Sequence, residues 1–311
     1  MMGLLVFKEQ LKTFYGGYSY VIDPIKKAVL SLTVFLLLNG SLGFMEFLKN
    51  PAVVAAASLL GAFLPLGMLT WMAAAFLLLH LYSLSLELAV ITGILVLIVA
   101  IVYCGLQPGY TILMVMGPLL FFLRVPYLLP LLVGLSCGLS ALVPMCFGVF
   151  IYYLVVYARQ NAGVLAAAGT IDITQKYMQI LNSLLANKMM LLMAAAAALA
   201  AAAVYFIRSL PIDHAWTIAI VVGTAVELAA IFVGQSTMDV SLSIGSLAVG
   251  TLVSVAAAFI FQFFAFAVDY SRTEFLQFQD DEYYYYVKAV PKIAVTAPDV
   301  KVQRINKRKE L

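Results

Sequence analysis

The sequence predicts an all-α polytopic transmembrane helix bundle, and three observations carry that expectation. Hydrophobic residues make up 64% of the 311 residues and charged ones only 11%, where a soluble domain carries roughly 25% charged residues. Mean hydropathy is +1.04, and a water-soluble monomer could not hide that much apolar surface. The charges also cluster at the ends. Residues 1–27 hold six and residues 269–311 hold fifteen, whereas the stretch from Ala28 to Tyr157 holds only Glu46, Lys49, Glu87 and Arg124.

The elements follow in order from the need for about 20 mostly apolar residues per span. Residues 1–27 read as an amphipathic cytoplasmic segment, with Phe7, Leu11 and Phe14 on one face, Lys8, Glu9 and Lys12 between them, and Gly16-Gly17 as its end. Ala28–Met45 is the first span, preceded by too many charged residues to be a cleavable signal. Pro51–Tyr82 is a 32-residue uncharged segment with Pro65 inside. Leu88–Leu106 ends at Gln107-Pro108-Gly109, and Tyr110–Leu123 is short, with Gly117-Pro118 in it. Pro126–Tyr157 is again 32 residues, interrupted by Pro130 and Pro144. Each long segment is either one kinked helix or a half-helix plus a span, because proline removes a backbone bond. Met189–Ile207, Ala215–Val233 and Gly245–Val268 complete a count of about eight.

Lysine and arginine placement orients the chain. Four lysines at the N-terminus and eight basic residues in the tail put both termini in the cytoplasm of a bacterial plasma membrane, which an even span count allows. That count places Glu87, Arg124 and Arg208 on the cytoplasmic side and Glu46/Lys49 outside, with the two arginines as boundary charges that snorkel. The 158–188 loop falls outside despite Arg159, Lys176 and Lys188. In it, Asp172 and Gln175 resemble a capping pair, and Tyr177, Leu181, Leu184 and Leu185 share a helical face. The loop reads as an amphipathic helix resting on its surroundings or as a lid.

Gly61-Ala-Phe-Leu-Pro65 and Ser140-Ala-Leu-Val-Pro144 align at an offset of 79, each mid-way through a 32-residue segment. Two readings stay open. One is an inverted repeat, with Pro65 and Pro144 marking broken helices at the bilayer midplane. The other is recurrence of packing motifs common in membrane helices.

Candidate functional residues are few. Glu227 is the acid well inside a span, so it reads as a proton- or cation-coupling carboxylate or as a structural hydrogen-bond anchor. His80, near Glu87, is either a titrating partner or an interfacial polar cap. Asn39 and Gln262 are expected interhelical hydrogen-bond donors, and Ala194–Ala203 a packing surface. Cys104, Cys137 and Cys146 lack metal-ligand spacing, and with His80 and His214 the only histidines, no metal site is expected. Neither a Gly-x-x-x-x-Gly-Lys loop nor a hydrolase motif occurs, so neither a cofactor nor enzymatic activity is expected. A nucleic-acid partner is excluded by the lack of a folded basic surface.

The tail holds Asp280, Asp281 and Glu282 followed by Tyr283, Tyr284, Tyr285 and Tyr286, then a basic end from Lys301 to Lys309. It reads as a docking segment for a soluble partner or as an aromatic and basic membrane anchor. Val287–Val295 has β-forming residues, but Pro291 limits it to an edge strand. The run Phe266–Glu274 with Asp280–Lys292, together with Arg159-Gln-Asn-Ala-Gly163, resembles a family of uncharacterised multi-pass proteins of Gram-positive bacteria, some of which are labelled ABC-transporter permeases. The resemblance implies a permease-like transport component with a cytoplasmic ATPase or other soluble subunit. The alternative is a non-transporting scaffold that recruits a partner through its tail.

Overall fold

The computed structural model describes residues 2–106, 108–166, 173–265, 274–279 and 284–289. They divide into two units, residues 20–263 and residues 1–19 with 264–311. In the smaller unit, α1 (Met2–Ser41) begins, and Gly16-Gly17 does not end it; the backbone leaves helical geometry at Tyr18 instead. Glycine weakens a helix by about 1 kcal/mol without forbidding it. Phe7, Leu11 and Phe14 are exposed, while Lys8 is buried. The hairpin of β1 (Glu274–Gln279) and β2 (Tyr284–Ala289) pairs Gln277 with Tyr286 and Leu276 with Val287. Of the stretch 287–295 expected as an edge strand, only residues 287–289 lie in β2, whose partner β1 is in the same chain, and residues 290–295 lie outside the described residues.

The larger unit continues α1 and adds α2 (Glu46–Lys49), α3 (Pro51–Phe63), α4 (Leu66–Leu84), α5 (Leu86–Leu106), α6 (Leu113–Phe122), α7 (Leu128–Ser136), α8 (Leu142–Gln160), α9 (Ala162–Ala166), α10 (Ile173–Leu185), α11 (Lys188–Arg208), α12 (Ala215–Met238) and α13 (Ile244–Ala265). Among the described residues, five helical stretches are long and apolar enough to cross a membrane: α4, residues 139–160, α11, α12 and α13.

Contacts fix the helix directions. Lys27 Nζ donates to the Leu64 carbonyl at 3.3 Å, Ser31 occupies the space a Cβ on Gly61 would need, and Asn39 Nδ2 donates to the Leu48 carbonyl at 2.8 Å. α3 therefore runs back along α1. α4 runs forward again, because its Ser83 hydroxyl bonds the Phe44 carbonyl at 3.2 Å. Residues 51–84 are thus a helical hairpin, with Pro65 at its turn as the residue that opens α4. α5 returns beside α4, where Gly93 faces Leu78, and Thr111 reaches Gly67 at the end that holds Lys27. We call this end proximal and the other distal.

α6 and α7 form a second, shorter hairpin. α6 leaves the proximal end parallel to α8: Gly117 meets Gly148, and the Phe121 ring lies 4.6 Å from Tyr152. α7 comes back, so that Arg208 at the end of α11 bonds the Leu135 carbonyl and, at 3.3 Å, the Cys137 carbonyl. With ten and nine residues, these helices rise only about 15 Å, and the turn 123–127 stops beside Tyr152, near the middle of α8.

The rest follows in long antiparallel passes. α8 reaches the distal end, where Lys176 of α10 bonds Glu87 at 3.1 Å and the Leu165 carbonyl at 3.0 Å. α11 descends; α12 ascends against it, pairing Gly223 with Val204 and Gly234 with Leu192. α13 descends and is tied to α12 by Gln262 and Thr217. The alanine run serves packing as expected, with Ala196, Ala197, Ala200 and Ala201 buried.

Six further expectations are corrected by the structure. Glu87 lies at the distal end with Lys176 and the 42–49 loop, not opposite them. Arg124 lies at the mid-depth turn, and Arg208 bonds backbone carbonyls rather than snorkelling. The segments holding Pro65 and Pro144 run in the same sense, since α3 and α7 both descend while α4 and α8 both ascend, so they are not inverted copies. The second segment breaks at Cys137–Gly138 rather than at Pro130 or Pro144, and Pro144 lies in the first turn of α8, where its missing N–H costs nothing. In α10 the buried face is Tyr177, Ile180 and Leu184, whereas Leu181 and Leu185 are 37% and 64% exposed; Asp172 lies outside the described residues.

The α6–α8 crossing is a close helix approach, made through two glycines. A Cβ on Gly117 would lie 2.7 Å from Gly148 Cα, and one on Gly148 would lie 2.8 Å from the Leu113 carbonyl oxygen. Gly148→Leu is expected to destabilise the protein by at least about 2 kcal/mol, read as a lowered thermal midpoint in detergent, whereas Gly163→Leu, with open space around it, should leave the midpoint unchanged.

Candidate functional site

The site is built where the turn of the α6–α7 hairpin meets α12 and α13. α6 ends with the Val125 N–H bonded to the Leu120 carbonyl and the Arg124 N–H to the Phe121 carbonyl, the bond pattern that closes a helix through a left-handed residue. That residue is usually glycine; here it is Arg124, at φ 61°. Pro126 follows and Tyr127 turns inward, buried, with its ring against Gly250 of α13; a Cβ there would lie 2.8 Å from Tyr127 Cε2 and 3.4 Å from the Arg124 carbonyl oxygen.

Glu227 faces this turn from α12. Ile220, Gly223, Glu227, Ile231 and Gly234 form the buried face of that helix, and Glu227 is 3% exposed. Its register against α11 puts it level with Ala200, an apolar neighbour with no donor to offer. Tyr127 is close enough to Glu227 for the two to interact electrostatically. The Gln262–Thr217 hydrogen bond of 3.0 Å sets the register with α13. Counting from that pair at 1.5 Å per residue, Glu227 lies about 15 Å away, Thr251 about 16 Å and Ser254 about 12 Å. All three stand near mid-helix, with Thr251 and Ser254 on the buried face of α13. Glu227 Oε2, Thr251 Oγ1 and Ser254 Oγ are buried without a hydrogen-bond partner. An unmet buried polar atom costs about 1–3 kcal/mol, and more when charged, so three at one depth mark a place the chain keeps polar for a reason other than packing.

The other expected residues go elsewhere. Pro65 and Pro144 sit at the proximal end, remote from the Glu227 level. His80 is fully buried but satisfied: Nδ1 accepts the Met45 N–H at 3.2 Å and Nε2 donates to Asn39 Oδ1 at 2.7 Å. Accepting at Nδ1 requires the neutral ring. It makes no pair with Glu87, which accepts from Ser85 Oγ at 2.5 Å and from Lys176. His80 is a staple that joins α4 to the α1–α2 turn. In the tail, Asp280, Asp281, Glu282 and Tyr283 lie outside the described residues, while Tyr284, Tyr285 and Tyr286 form β2 and are exposed, Tyr286 at 77%.

A second feature is a cavity of ≈ 90 Å³ among α1, α4, α5, α6 and α8, walled by residues such as Leu38, Trp71, Val96, Pro118 and Phe150. Its polar groups are the Thr70 and Thr92 hydroxyls, both buried and without hydrogen-bond partners.

Sequence reading misses Arg124, Tyr127, Thr251 and Ser254. The signal for the turn was present: Tyr110–Leu123 holds 14 residues, too few for a bilayer of about 30 Å. The hydroxyls carry no such signal, since serine and threonine are common in membrane helices. No family model, curated protein or solved structure matches this chain.

Two outcomes test this account. His80→Ala strands the half-buried Met45 N–H and Asn39 Oδ1 and removes a buried ring, and should cost about 3 kcal/mol in thermal unfolding. Arg124→Gly removes the left-handed strain and should raise stability by about 0.5–1 kcal/mol while abolishing any activity that uses the cation; a lowered midpoint would show that the guanidinium, not the backbone, governs this position.

Proposed function

We propose that this chain is the membrane-embedded component of a bacterial plasma-membrane transporter whose translocation path runs through the turn 123–127 and Glu227. The reading makes eight traverses of α1, α3, α4, α5, α8, α11, α12 and α13, with α6–α7 as a re-entrant hairpin. Both termini then share the proximal side. By sequence, the segments that lead into α1 and follow α13 carry four lysines and eight basic residues, against Lys49, Arg159, Lys176 and Lys188 around the distal end, and this bias supports reading the proximal side as cytoplasmic. Lys176, the most awkward distal cation, is neutralised by Glu87.

The observation that carries the reading is the meeting of non-helical backbone and a buried carboxyl at mid-depth. In lipid, irregular backbone survives only where protein buries it or where it lines a water-filled cavity. Intramembrane acids mark ion and substrate paths, and transporters build such sites from broken helices near the midplane. Glu227 would carry the coupling proton or cation. Energy from nucleotide hydrolysis would come from a separate cytoplasmic ATPase docked on the tail.

A second reading, a scaffold that recruits a soluble partner, is favoured by the exposed aromatic strand Tyr284–Tyr286. Deleting 280–311 abolishes a scaffold's role and leaves a transporter's substrate binding intact.

The test uses single cysteines on a background without Cys104, Cys137 and Cys146. A charged, membrane-impermeant thiol reagent is expected to reach a cysteine at position 124 and to spare one at the outward-facing Leu97. An unreactive position 124 sinks the path. Glu46→Cys and Ser83→Cys should label from outside the cell and Asp213→Cys only in inverted vesicles. Glu227→Gln should keep the fold and lose ion-dependent activity.

A further inference from the structure

We infer that Glu227, Thr251, Ser254 and Tyr127, with the Arg124 carbonyl, form a binding site for one monovalent cation of the sodium type. The inference rests on the transport reading and names its coupling ion. Every group available at that depth is an oxygen: a carboxyl on α12, two hydroxyls on α13, and a phenol and a main-chain carbonyl at the hairpin turn. An oxygen set without nitrogen or sulfur suits hard cations. The formal charge of the set is −1. A divalent ion would leave an uncompensated charge in a buried site, which is prohibitive, whereas a monovalent ion makes a neutral cluster.

Two independent observations point to a ligand. Three of the oxygens, Glu227 Oε2, Thr251 Oγ1 and Ser254 Oγ, are each more than nine-tenths buried and lack any partner. The turn also presents main-chain oxygen to the same spot, since the Arg124 carbonyl lies over Gly250, the residue before Thr251. The charged and titratable groups around Glu227 are few. α11 offers alanines, α13 its two hydroxyls, and the turn Tyr127, with Tyr153 of α8 behind it. The Arg124 side chain is exposed and interacts with Tyr152 instead. Among the described residues no lysine or arginine side chain therefore fills the site in place of an ion.

The experiment is thermal unfolding of the detergent-purified full chain in sodium chloride against choline chloride at equal ionic strength, choline being too large to enter. Sodium at about ten times half-saturation should raise the midpoint by about 2 °C. Glu227→Gln, close in shape to the wild type, should abolish the shift, and Ser254→Ala should move half-saturation to higher sodium. No shift in the wild type, or the same shift in Glu227→Gln, overturns the site. The two readings fail separately. A reactive position 124 with no sodium shift leaves a path coupled to protons or to another subunit. A sodium shift with an unreactive position 124 leaves a structural ion and no path.

Discussion

A chain dissolved in hydrocarbon must satisfy its backbone from within, and the places where this one stops being helical are set by what can cover the freed groups. Long cations from distant elements do most of that covering. Lys27 of α1 caps the last carbonyls of α3 at Leu64, Arg208 of α11 caps α7 at Leu135 and Cys137, and Lys176 of α10 caps α9 at Leu165. A cation at a helix C-terminus meets both the free carbonyls and the negative end of the helix dipole. At N-termini the partners are amides: Asn50 accepts the Ala52 N–H and Asn187 the Met190 N–H. These few side chains let the chain reverse where its apolar content alone would carry it onward.

The same caps tie elements far apart in sequence and so decide topology. Hydropathy is blind to this. A run of 32 apolar residues says how much chain is in lipid, not whether it passes once or folds back. The helices α11, α12 and α13 are legible to within a few residues because charged or polar residues bound a single apolar length. The hairpins α3–α4 and α6–α7 are not, because their turns are made of Leu64-Pro65 and of Leu123 to Tyr127, residues that also occur inside spans. Length is the one sequence signal that bears on these hairpins. At 1.5 Å per residue, 32 residues exceed one bilayer and 14 fall short of it. The shared small-Ala-x-x-Pro motif marks two proximal starts of ascending helices. Its recurrence reflects where proline is tolerated, in a first turn, rather than an inverted duplication.

The candidate site was half legible for a related reason. A lone carboxylate in an apolar stretch stands out in any sequence, whereas Thr251 and Ser254 acquire meaning only from the neighbour they face. Amphipathic α10 shows the same limit. Tyr177 with Leu184 fits two ridges of the helix, one through Leu181 and one through Ile180, and packing against α5 and α8 selects the second. Periodicity proposes faces, and the partner chooses among them.

What remains to be balanced is the cost at the hairpin turn. Arg124 holds a left-handed conformation at about 1–2 kcal/mol for a residue with a Cβ, and Glu227, Thr251 and Ser254 each keep an oxygen unpaired. Glycine at 124 and apolar residues at the other three would relieve every one of these penalties at little cost to packing. The Gly117–Gly148 contact holds α6 against α8 so that the turn cannot move off this polar patch without breaking a main-chain crossing. Strain that is so easily removed, yet is held in place by rigid packing on one side and unmet oxygens on the other, is the observation that supports the proposed cation site. A purely structural anchor would instead have closed its hydrogen bonds, as His80 does with Met45 and Asn39.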